Sequence, residues 1–404
     1  MAEDSQRASP LRITDVEIFD CNFFAVTFWF LAFIFPLPVS SSRRYHIGMK
    51  KFASLSGNIL STGSHSCCSL LLALILFLPI SVSAAGKAPP PDGTQYVSKE
   101  KLIGLLSKET GLPVDELRSI MKPATFVPGI IKKMTTPWEA QPYAKYRPLF
   151  VKKRMHNKGR AYLKTHTALL ASIEKKYQVE AAVIAAILGI ETRFGAAHGK
   201  NPILDSLYTL STGYPRRARF FRAQLGAIIK ISRQDQLKLN ELKGSYAGAF
   251  GSIQFIPTSF RDYAVDEDGD SIRDVFASHP DIFGSVANYF QKHGWQYGRP
   301  SAHWLPVNAK LTAKWRKRAD GKLKHWVTLA DLRQTMPGIF SHISAPWRDD
   351  DKVSIIKMET KHGKQLALVH YNFYVIMRYN PSFNYAMAVT EIASMLERNT
   401  FAID

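Results

Sequence analysis

The sequence predicts an α+β protein that is mainly α-helical. Apolar residues recur at helical spacing from Lys101 to about Tyr297. Residues 300–350 are rich in Lys, Arg, Trp and Pro and show no clear periodicity. Beyond them, two runs at 352–360 and 365–371 flank a short polar turn, a pattern typical of a β-hairpin. We therefore expect a helical body that carries a small β-containing insertion.

The helical segments can be placed in chain order. They are Lys101–Glu109 ending at Gly111, a helix opening at Val114, Ala161–Tyr177, Glu180–Thr192, Ile282–His293, and a last helix from Pro381 through Met395 with Ser382 near its first turn. The segment from Glu180 to Thr192 is almost wholly apolar, so we expect it to be buried. The globular domain spans 101–404, with the insertion at about 300–371. A stretch of Pro and Gly at 85–100 predicts a flexible tether before it.

The first 84 residues are predicted to be a leader. An apolar run at 70–80 follows the basic start at Met49 and precedes small residues ending at Ala85, which is the anatomy of a secretory signal over 49–84. On this interpretation residues 1–48 are an over-extended gene start. The competing interpretation makes the apolar run at 23–39 a membrane anchor. Export by this signal predicts a periplasmic protein.

Cysteine and charge narrow the function classes. The three cysteines, Cys21, Cys67 and Cys68, all precede residue 69, so the globular domain has no thiol catalysis, zinc-thiolate site or disulfide. Cys67 and Cys68 also precede the apolar run, so no lipobox is seen. The leader holds six Lys or Arg and five Asp or Glu, so the formal charge of +20 becomes +19 for residues 85–404. This charge favours an anionic partner: nucleic acid, a membrane or peptidoglycan.

Glu191 is the candidate catalytic residue. It follows Ile187 and Leu188 by four and three residues, so it continues the apolar stripe of its helix. Burial of a carboxyl raises its pKa, which suits a general acid that protonates a glycosidic oxygen. The competing interpretation is an ordinary helix-end glutamate that pairs with Arg193 or another cation.

A glycine-rich segment follows at 244–257. Its small residues would let a polymer approach the backbone closely, while Ser245 and Gln254 offer hydrogen bonds suited to sugar hydroxyls and acetamides. Taken alone, the segment is equally a glycine-rich turn that leads into a helix.

Six short motifs occur together and in order. They are Glu191-Thr192-Arg193-Phe194-Gly195, Ile203-Leu204-Asp205, Tyr214-Pro215-Arg216-Arg217-Ala218, Gly248-x-x-Gly-x-x-Gln254-Phe255-x-Pro257, Gly284-Ser285-Val286-Ala287-Asn288-Tyr289, and Arg378-Tyr379-Asn380-Pro381-Ser382 with Tyr385-Ala386-Met387-Ala388-Val389. The set closely resembles the membrane-bound lytic murein transglycosylase B family over about residues 100–404.

The resemblance implies a lysozyme-like core in which Glu191 is the single acid/base. It would cleave the bond between N-acetylmuramic acid and N-acetylglucosamine and leave a 1,6-anhydro end, with no cofactor required for the chemistry. The residue chemistry agrees on one point: a glycosidase of the usual kind needs two carboxylates, and no second one stands in a convincing motif. We interpret Asp205 as an N-cap for the turn at 206–210.

The family pattern also implies the substrate-binding residues. Tyr146, Ser245, Gln254, Tyr289, Tyr379 and Asn380 would line the glycan groove. Arg216 and Arg217 would meet the carboxylates of the peptide stem. The competing interpretations are core packing for the tyrosines and a solvated helix start for the two arginines.

An acidic loop is the candidate metal site. Asp266, Asp268 and Asp270 occupy positions one, three and five of an EF-hand-like loop, although Ser271 replaces the usual glycine and Ala277 the closing glutamate. The family has a site of altered loop length, which implies that Asp281 closes it and that the Ile272 carbonyl contributes, with structural Ca²⁺ as the ion. The competing interpretation is an acidic turn in a basic protein.

The sequence therefore predicts an enzyme that binds peptidoglycan glycan strands and their peptide stems as a monomer, with other cell-wall enzymes as further partners. The competing functions are a hydrolytic muramidase and a non-catalytic wall-binding scaffold. Nucleic-acid binding is not expected, because an export signal is present and nucleic-acid-binding motifs are missing.

Overall fold

A computed structural model describes residues 93–135, 141–319 and 323–398. The predicted leader, its two apolar runs and the three cysteines lie outside these residues. Within the described residues, no helix combines the length and the apolar character needed to cross a lipid bilayer.

Sixteen α-helices can be numbered along the described residues. They are α1 (Lys99–Thr110), α2 (Val114–Met121), α3 (Pro128–Thr135), α4 (Tyr143–Phe150), α5 (Lys153–Thr165), α6 (Thr167–Tyr177), α7 (Ala181–Thr192), α8 (Ile203–Gly213), α9 (Ala218–Gln234), α10 (Pro257–Tyr263), α11 (His279–Lys292), α12 (Ala313–Arg318), α13 (Leu329–Thr335), α14 (Pro337–Phe340), α15 (Tyr371–Tyr379) and α16 (Phe383–Glu397).

Six short strands form two antiparallel sheets. β1 (Asn201–Pro202) pairs with β2 (Lys243–Gly244). β3 (Ala302–Trp304), β4 (Val327–Thr328), β5 (Lys352–Thr360) and β6 (Gly363–His370) form the second sheet in the order β3-β6-β5-β4. The predicted hairpin is present, because Thr360 pairs with Gly363 at its turn. The predicted fold class, mainly α with a small β-containing part, is confirmed.

The core is built around α7. Every residue of this helix from Ala182 to Thr192 is buried, so it is enclosed on all sides. Helices α5, α6, α11 and α16 pack against it. Close packing on one side depends on Gly189, because a Cβ there would meet the Phe194 ring at 2.9 Å and the Met155 sulfur at 3.0 Å. An all-apolar sequence therefore produces a central helix, as predicted.

Three local predictions were wrong. The segment predicted as one helix over 161–177 is two, because the chain turns at His166 and the Thr167 hydroxyl bonds the carbonyls of the preceding turn. Asp205 is not an N-cap: α8 already begins at Ile203, and the Asp205 carboxylate accepts the backbone N–H of Thr125 at 2.8 Å. The last helix begins two residues after Pro381, with the Ser382 hydroxyl capping Tyr385 N–H.

The β-containing part has a hydrophobic cluster of its own. The cluster is formed by side chains of the second sheet and of α12, α13 and α14, including Trp315, Leu329 and Phe340. The sheet also contacts the helical body. The Glu391 carboxylate of α16 accepts hydrogen bonds from Trp304 of β3, at 3.1 Å, and from Arg147 of α4, at 2.7 Å. One carboxylate thus joins the sheet to two helices of the body.

A buried cluster of ionisable side chains lies where the chain enters and leaves the β-containing part. Arg299 donates to the Asp351 carboxylate, and the His370 ring lies beside it, with 3.5 Å between Nε2 and Oδ1. The Nδ1 atom of His370 accepts the N–H of Asn372 at 3.1 Å, so the ring fits its neutral form. Burial, with the positive charge of Arg299, lowers the pKa of His370 to about 4, against the opposing effect of Asp351.

The lowered pKa of His370 predicts acid sensitivity. Because the unfolded chain binds the proton near pH 6.5 and the folded chain only near pH 4, the stability contributed by the neutral ring is complete above pH 6.5 and is lost as pH falls towards 4. The loss amounts to about 3 kcal/mol. Urea unfolding between pH 7 and pH 4.5 measures it. His370→Asn, which keeps an acceptor for Asn372 N–H but does not titrate, should lose less stability over this interval. Equal losses in the two proteins would contradict the prediction.

Candidate active site

Glu191 lies in the last turn of α7 and is only 3% exposed. The hydroxyl of Tyr385, on α16, donates a hydrogen bond of 2.6 Å to its Oε1 atom. A carboxylate in such a place needs hydrogen-bond donors, because burying an unpaired charge is costly. Glu191 is therefore a largely desolvated carboxyl group that Tyr385 holds in place by a hydrogen bond. The apolar stripe of the sequence predicted this burial, and the alternative of a solvated helix-end glutamate is wrong.

Tyr385 was not assigned a role from the sequence. It is fully buried, and burial together with the negative charge of Glu191 raises its pKa well above the usual range. Its hydroxyl therefore stays protonated and remains a donor at neutral pH. The sequence did contain a signal, because Tyr385 opens the Tyr385-Ala386-Met387-Ala388-Val389 motif and lies three residues after the capping Ser382.

The chain leaves α7 through a tight turn that fixes the position of Glu191. Arg193, Phe194 and Gly195 all have positive φ, and for the two non-glycine residues this conformation is strained. The Thr192 hydroxyl accepts the N–H of Gly195 at 3.0 Å and donates to the Ser252 carbonyl at 2.9 Å. The helix end is thereby tied to the glycine-rich segment.

The glycine-rich segment is a compact, buried loop. The Ser245 hydroxyl accepts the N–H groups of Ala247 and Ala249, so the oxygen that was predicted to meet a sugar also shapes the loop. Gly248 has φ +89°, and a Cβ there would lie 2.4 Å from the Leu207 side chain. The small residues of this segment therefore allow close packing within the protein.

Gln254 has an acceptor without a partner. Its Nε2 atom donates to the carbonyls of Gly251, at 2.9 Å, and His198, at 3.2 Å. Its Oε1 atom is buried and has no hydrogen-bond partner among the residues that the structure describes. A buried amide oxygen left in this way is costly and is a ready acceptor for an incoming N–H or O–H group.

Aromatic rings surround this part of the site. The rings of Tyr289 and Tyr379 lie 4.9 Å apart, and each also packs on Phe255 at 5.5 Å. Both hydroxyls donate to backbone carbonyls: Tyr379 to Ile253 and Tyr289 to Arg378. The negative charge of Glu191 is one cause, after burial, of the raised pKa of Tyr379. Tyr379 is therefore near the carboxylate, and the hydroxyl of Tyr289 is engaged within the protein.

Two further predicted groove residues are buried. Tyr146 of α4 is fully buried, and its proximity adds to the raised pKa of Tyr385. Asn380 follows Tyr379 directly and is 1% exposed. Tyr146 is therefore close to Tyr385, the donor to Glu191, and Asn380 directly follows Tyr379, which is close to Glu191.

Arg216 and Arg217 belong to a short 3-10 turn between α8 and α9. Arg216 is exposed, whereas Arg217 is partly buried against Phe220, its guanidinium 4.0 Å from the ring centre. Burial lowers the pKa of Arg217 to about 10, so it is still charged at neutral pH. Neither guanidinium has a carboxylate within 4.0 Å in the described part of the chain, so both are available to an anion.

The acidic loop gathers three of the five predicted metal ligands. Carboxylate oxygens of Asp266, Asp268 and Asp270 all lie within 4.8 Å of one another, a donor set that fits a hard cation such as Ca²⁺. Asp281 is different: it is fully buried, and its two oxygens accept the N–H groups of Glu267, at 2.6 Å, and Asp274, at 2.7 Å. The Asp281 carboxylate thus holds the acidic loop in place by accepting backbone N–H groups at both ends of it.

Ile272, the last predicted ligand, contributes a backbone N–H to the Oδ1 atom of Asp270 at 2.8 Å. The Ser271 residue at loop position six has φ +73°, so it adopts the left-handed conformation for which an EF-hand normally uses glycine. The loop therefore keeps its turn despite the sequence departure.

The acidic loop and the acid are mechanically connected. Directly after Asp274, the Val275 carbonyl accepts the N–H of Ser252 at 2.7 Å. Ser252 is the residue whose carbonyl accepts the Thr192 hydroxyl beside Glu191. Its own hydroxyl lies 2.9 Å from Nε2 of His198, whose pKa is lowered by burial. Neither Ser252 nor His198 was singled out from the sequence.

Comparison with known proteins identifies the family to which the chain belongs. A family model described as "Transglycosylase SLT domain" matches residues 99–394. The membrane-bound lytic murein transglycosylase B of Escherichia coli K12 is 34% identical over 250 residues, which is 62% of this chain and 66% of that protein, slightly under two thirds of its length.

Solved structures of lytic transglycosylases are similar to this chain as well. The E. coli lytic transglycosylase Slt35 in complex with calcium is 30% identical, with a TM-score of 0.64, over 76% of this chain and 96% of the other. SltB3 of Pseudomonas aeruginosa in complex with NAG-NAM-pentapeptide is 28% identical, with a TM-score of 0.66, over 76% and 80% of the two chains. The predicted family and the lysozyme-like class of fold are confirmed. The chain belongs to the transglycosylase SLT domain family, whose matched relatives are lytic transglycosylases.

Proposed function

We propose that this chain is a lytic murein transglycosylase that cleaves the β-1,4 bond between N-acetylmuramic acid and N-acetylglucosamine in peptidoglycan, with Glu191 as its only acid/base. The confirmed family supports this activity. The observation that carries the residue assignment is the buried carboxyl of Glu191 at the centre of the site, with Tyr385 as its donor.

The reaction needs two proton transfers. Protonated Glu191 gives its proton to the glycosidic oxygen as the bond from that oxygen to C1 of the muramoyl residue breaks. The resulting carboxylate then takes the proton from the muramoyl 6-hydroxyl as O6 bonds to C1. The products are a free 4-hydroxyl on N-acetylglucosamine and a 1,6-anhydro end, and no water is consumed. Tyr385 supports the second state, because its hydroxyl donates to the ionised carboxylate.

The state of the other buried carboxylates favours this reaction over hydrolysis. Hydrolysis by the two usual routes needs a second carboxylate about 5–9.5 Å from the first. Among the described residues, the other buried carboxylates are committed elsewhere: Asp235 to Arg273, Asp351 to Arg299, and Asp281 to the backbone of its loop. The hydrolytic muramidase is thus the weaker candidate, and a scaffold without activity would not need a buried acid.

Substrate contacts follow from the site. The unpartnered Oε1 of Gln254 suits the N–H of an acetamide group. Tyr146, Ser245, Tyr289, Tyr379 and Asn380 remain proposed groove residues; of these, Tyr289 would act through its ring, since its hydroxyl is bonded to Arg378. Arg216 and Arg217 suit the carboxylates of the peptide stem, and the related SltB3 was crystallised with NAG-NAM-pentapeptide.

We propose that Asp266, Asp268 and Asp270 hold a structural Ca²⁺, with the Ile272 carbonyl completing the set and Asp281 supporting the loop. The convergence of the three carboxylates supports this, as does the calcium complex of the related Slt35. The ion would neutralise carboxylates that otherwise repel one another, and would thereby stiffen the segment that leads to Val275 and Ser252. It takes no part in the bond cleavage.

The proposed location is the periplasm. The predicted signal over 49–84 would export the chain, and the peptidoglycan substrate lies there. The division into a leader, a tether over 85–100 and a catalytic domain over 101–404 remains a prediction, as do the monomeric state and contacts with other cell-wall enzymes. In the structure, α1 begins at Lys99, and the N–H of Tyr96 already bonds the Thr212 carbonyl at 2.8 Å.

Glu191→Gln tests the reaction. The amide keeps the shape but supplies no acidic proton, so digestion of purified sacculi should slow by roughly 100- to 10,000-fold. Mass analysis of the wild-type products should show anhydro ends. Wild-type products with reducing ends would favour the muramidase, and a fully active variant would remove Glu191 from the chemistry.

Tyr385→Phe tests the donor to the acid. Loss of one hydrogen bond to a charged group should lower kcat by roughly 10- to 100-fold while the folded structure is retained. Tyr297→Phe is the matched control, since its hydroxyl also donates to a glutamate, Glu174, at 2.8 Å, and this pair lies outside both the acidic loop and the site around Glu191. If the two variants had equal activity, the role given to Tyr385 would be wrong.

Asp270→Asn tests the calcium site. In millimolar calcium, the melting temperature of the wild type should rise by about 5 °C over its value in chelator, since an ion that binds only the folded state stabilises it. The variant should show little of this rise. Asp262→Asn removes an exposed carboxylate that pairs with Arg261, outside the loop, and should behave as the wild type. Calcium-independent melting of the wild type would refute the site.

A further inference from the structure

The exposed charged residues of helix α5 are all positive. Between Glu139 and Glu174 the chain contains eight Lys or Arg residues and no Asp or Glu. Five of the eight lie on α5 itself and are exposed; we call them the α5 cation face: Lys153, Arg154, Lys158, Arg160 and Lys164. None of the five has a carboxylate within 4.0 Å among the residues that the structure describes, whereas Arg147 on α4 is paired with Glu391.

The cations share one side of the helix. At about 100° per residue they fall within an arc of about 160°, and they extend over about 16 Å of helix length. The opposite arc carries the buried residues Met155, His156 and Gly159. The exposed arc holds no aromatic or large apolar side chain, because its other members are Asn157, Ala161 and Thr165. The face therefore suits attraction to a charged surface without insertion of apolar groups.

This face points away from the acid. Helix α5 packs on the side of α7 that carries Gly189, where a Cβ would meet the Met155 sulfur at 3.0 Å. Glu191 is two residues further on, which is about 200° around the helix, and it faces Tyr385 of α16. A glycan strand bound at Glu191 is therefore on the other side of α7 from the α5 cation face. The bound strand does not account for these charges.

We propose that the α5 cation face binds an anionic phospholipid surface and orients the enzyme with its cleft turned away from that membrane. A row of cations along one exposed helix fits a plane of lipid phosphates, and attraction of this kind adds up over each Lys or Arg near the surface. The orientation follows from the opposite placement of α5 and Glu191 on α7. The binding itself does not depend on the enzymatic activity.

The test is co-sedimentation of the protein with lipid vesicles. The protein is expressed with its predicted leader and purified after export, so that it has the N-terminus that cells produce. Binding to phosphatidylcholine vesicles that contain phosphatidylglycerol should be strong at 0.05 M salt and lost at 0.5 M salt, because screening weakens it. Pure phosphatidylcholine vesicles should give only background binding. The triple variant Lys153→Gln, Lys158→Gln and Lys164→Gln should bind the anionic vesicles roughly tenfold to 100-fold more weakly.

A second triple variant is the matched control. Lys314→Gln, Lys317→Gln and Lys357→Gln also removes three exposed lysines, from α12 and β5, so it changes the net charge equally. It should bind vesicles as the wild type does. An equal loss in both variants would show a mere effect of net charge and would overturn the proposal, as would unchanged binding of the α5 variant.

Binding to purified sacculi separates the membrane from the cell wall. If the α5 variant loses affinity for sacculi but not for anionic vesicles, the cations serve stem-peptide carboxylates and the proposal is wrong. Cleavage of short soluble glycan strands should be unchanged in the α5 variant, which also shows that it is folded. Failure of cleavage in the wild type would count against the proposed function and not against the vesicle result.

Discussion

The burial of one carboxyl group governs the arrangement of this site. Glu191 stands at the end of a helix that is enclosed on every side, where an unpaired charge would be costly. The Tyr385 hydroxyl reduces that cost for the ionised state, because it donates a hydrogen bond to the carboxylate. In the proposed reaction this carboxyl group gives up a proton and takes one back within a single cycle.

The surrounding structure keeps this carboxyl in place. The chain continues from the acidic loop to Val275, whose carbonyl accepts the N–H of Ser252, and the Ser252 carbonyl in turn accepts the Thr192 hydroxyl next to Glu191. On another side, Glu391 joins the second sheet to α4 and to α16, the helix that carries Tyr385. The acidic loop and the β-containing part, which are both distant from Glu191 in the sequence, thus both contact segments that hold Glu191 and Tyr385.

The sequence predicted what depends on local pattern. The all-apolar run before Glu191 specified a buried helix, and the alternating runs around residues 361–364 specified a hairpin with its turn at the right place. Helical spacing predicted that Glu191 continues the apolar face of its helix, and the residue is only 3% exposed. Six ordered motifs then indicated the family, which the comparisons confirm.

What the sequence could not predict depends on contacts between distant segments. Tyr385 meets Glu191 across 194 positions, and only the packing of α16 on α7 brings them together. The family resemblance implied Asp281 as a metal ligand, and the sequence did not show that both of its oxygens accept backbone N–H groups. The break at His166 was missed because helix propensity does not show that the Thr167 hydroxyl donates to a carbonyl of the preceding turn. The role of Asp205 was missed because its carboxylate accepts the backbone N–H of Thr125, which is 80 residues away in the sequence.

The most direct test of the central claim is a crystal structure of the Glu191→Gln variant with an uncleaved glycan fragment that spans the scissile bond. The account predicts that the glycosidic oxygen lies about 3 Å from the substituted side chain, and that the muramoyl 6-hydroxyl is on the same side of the sugar as that side chain. A glycan bound with its glycosidic oxygen out of reach of residue 191, or with another carboxylate nearer to it, would contradict the account.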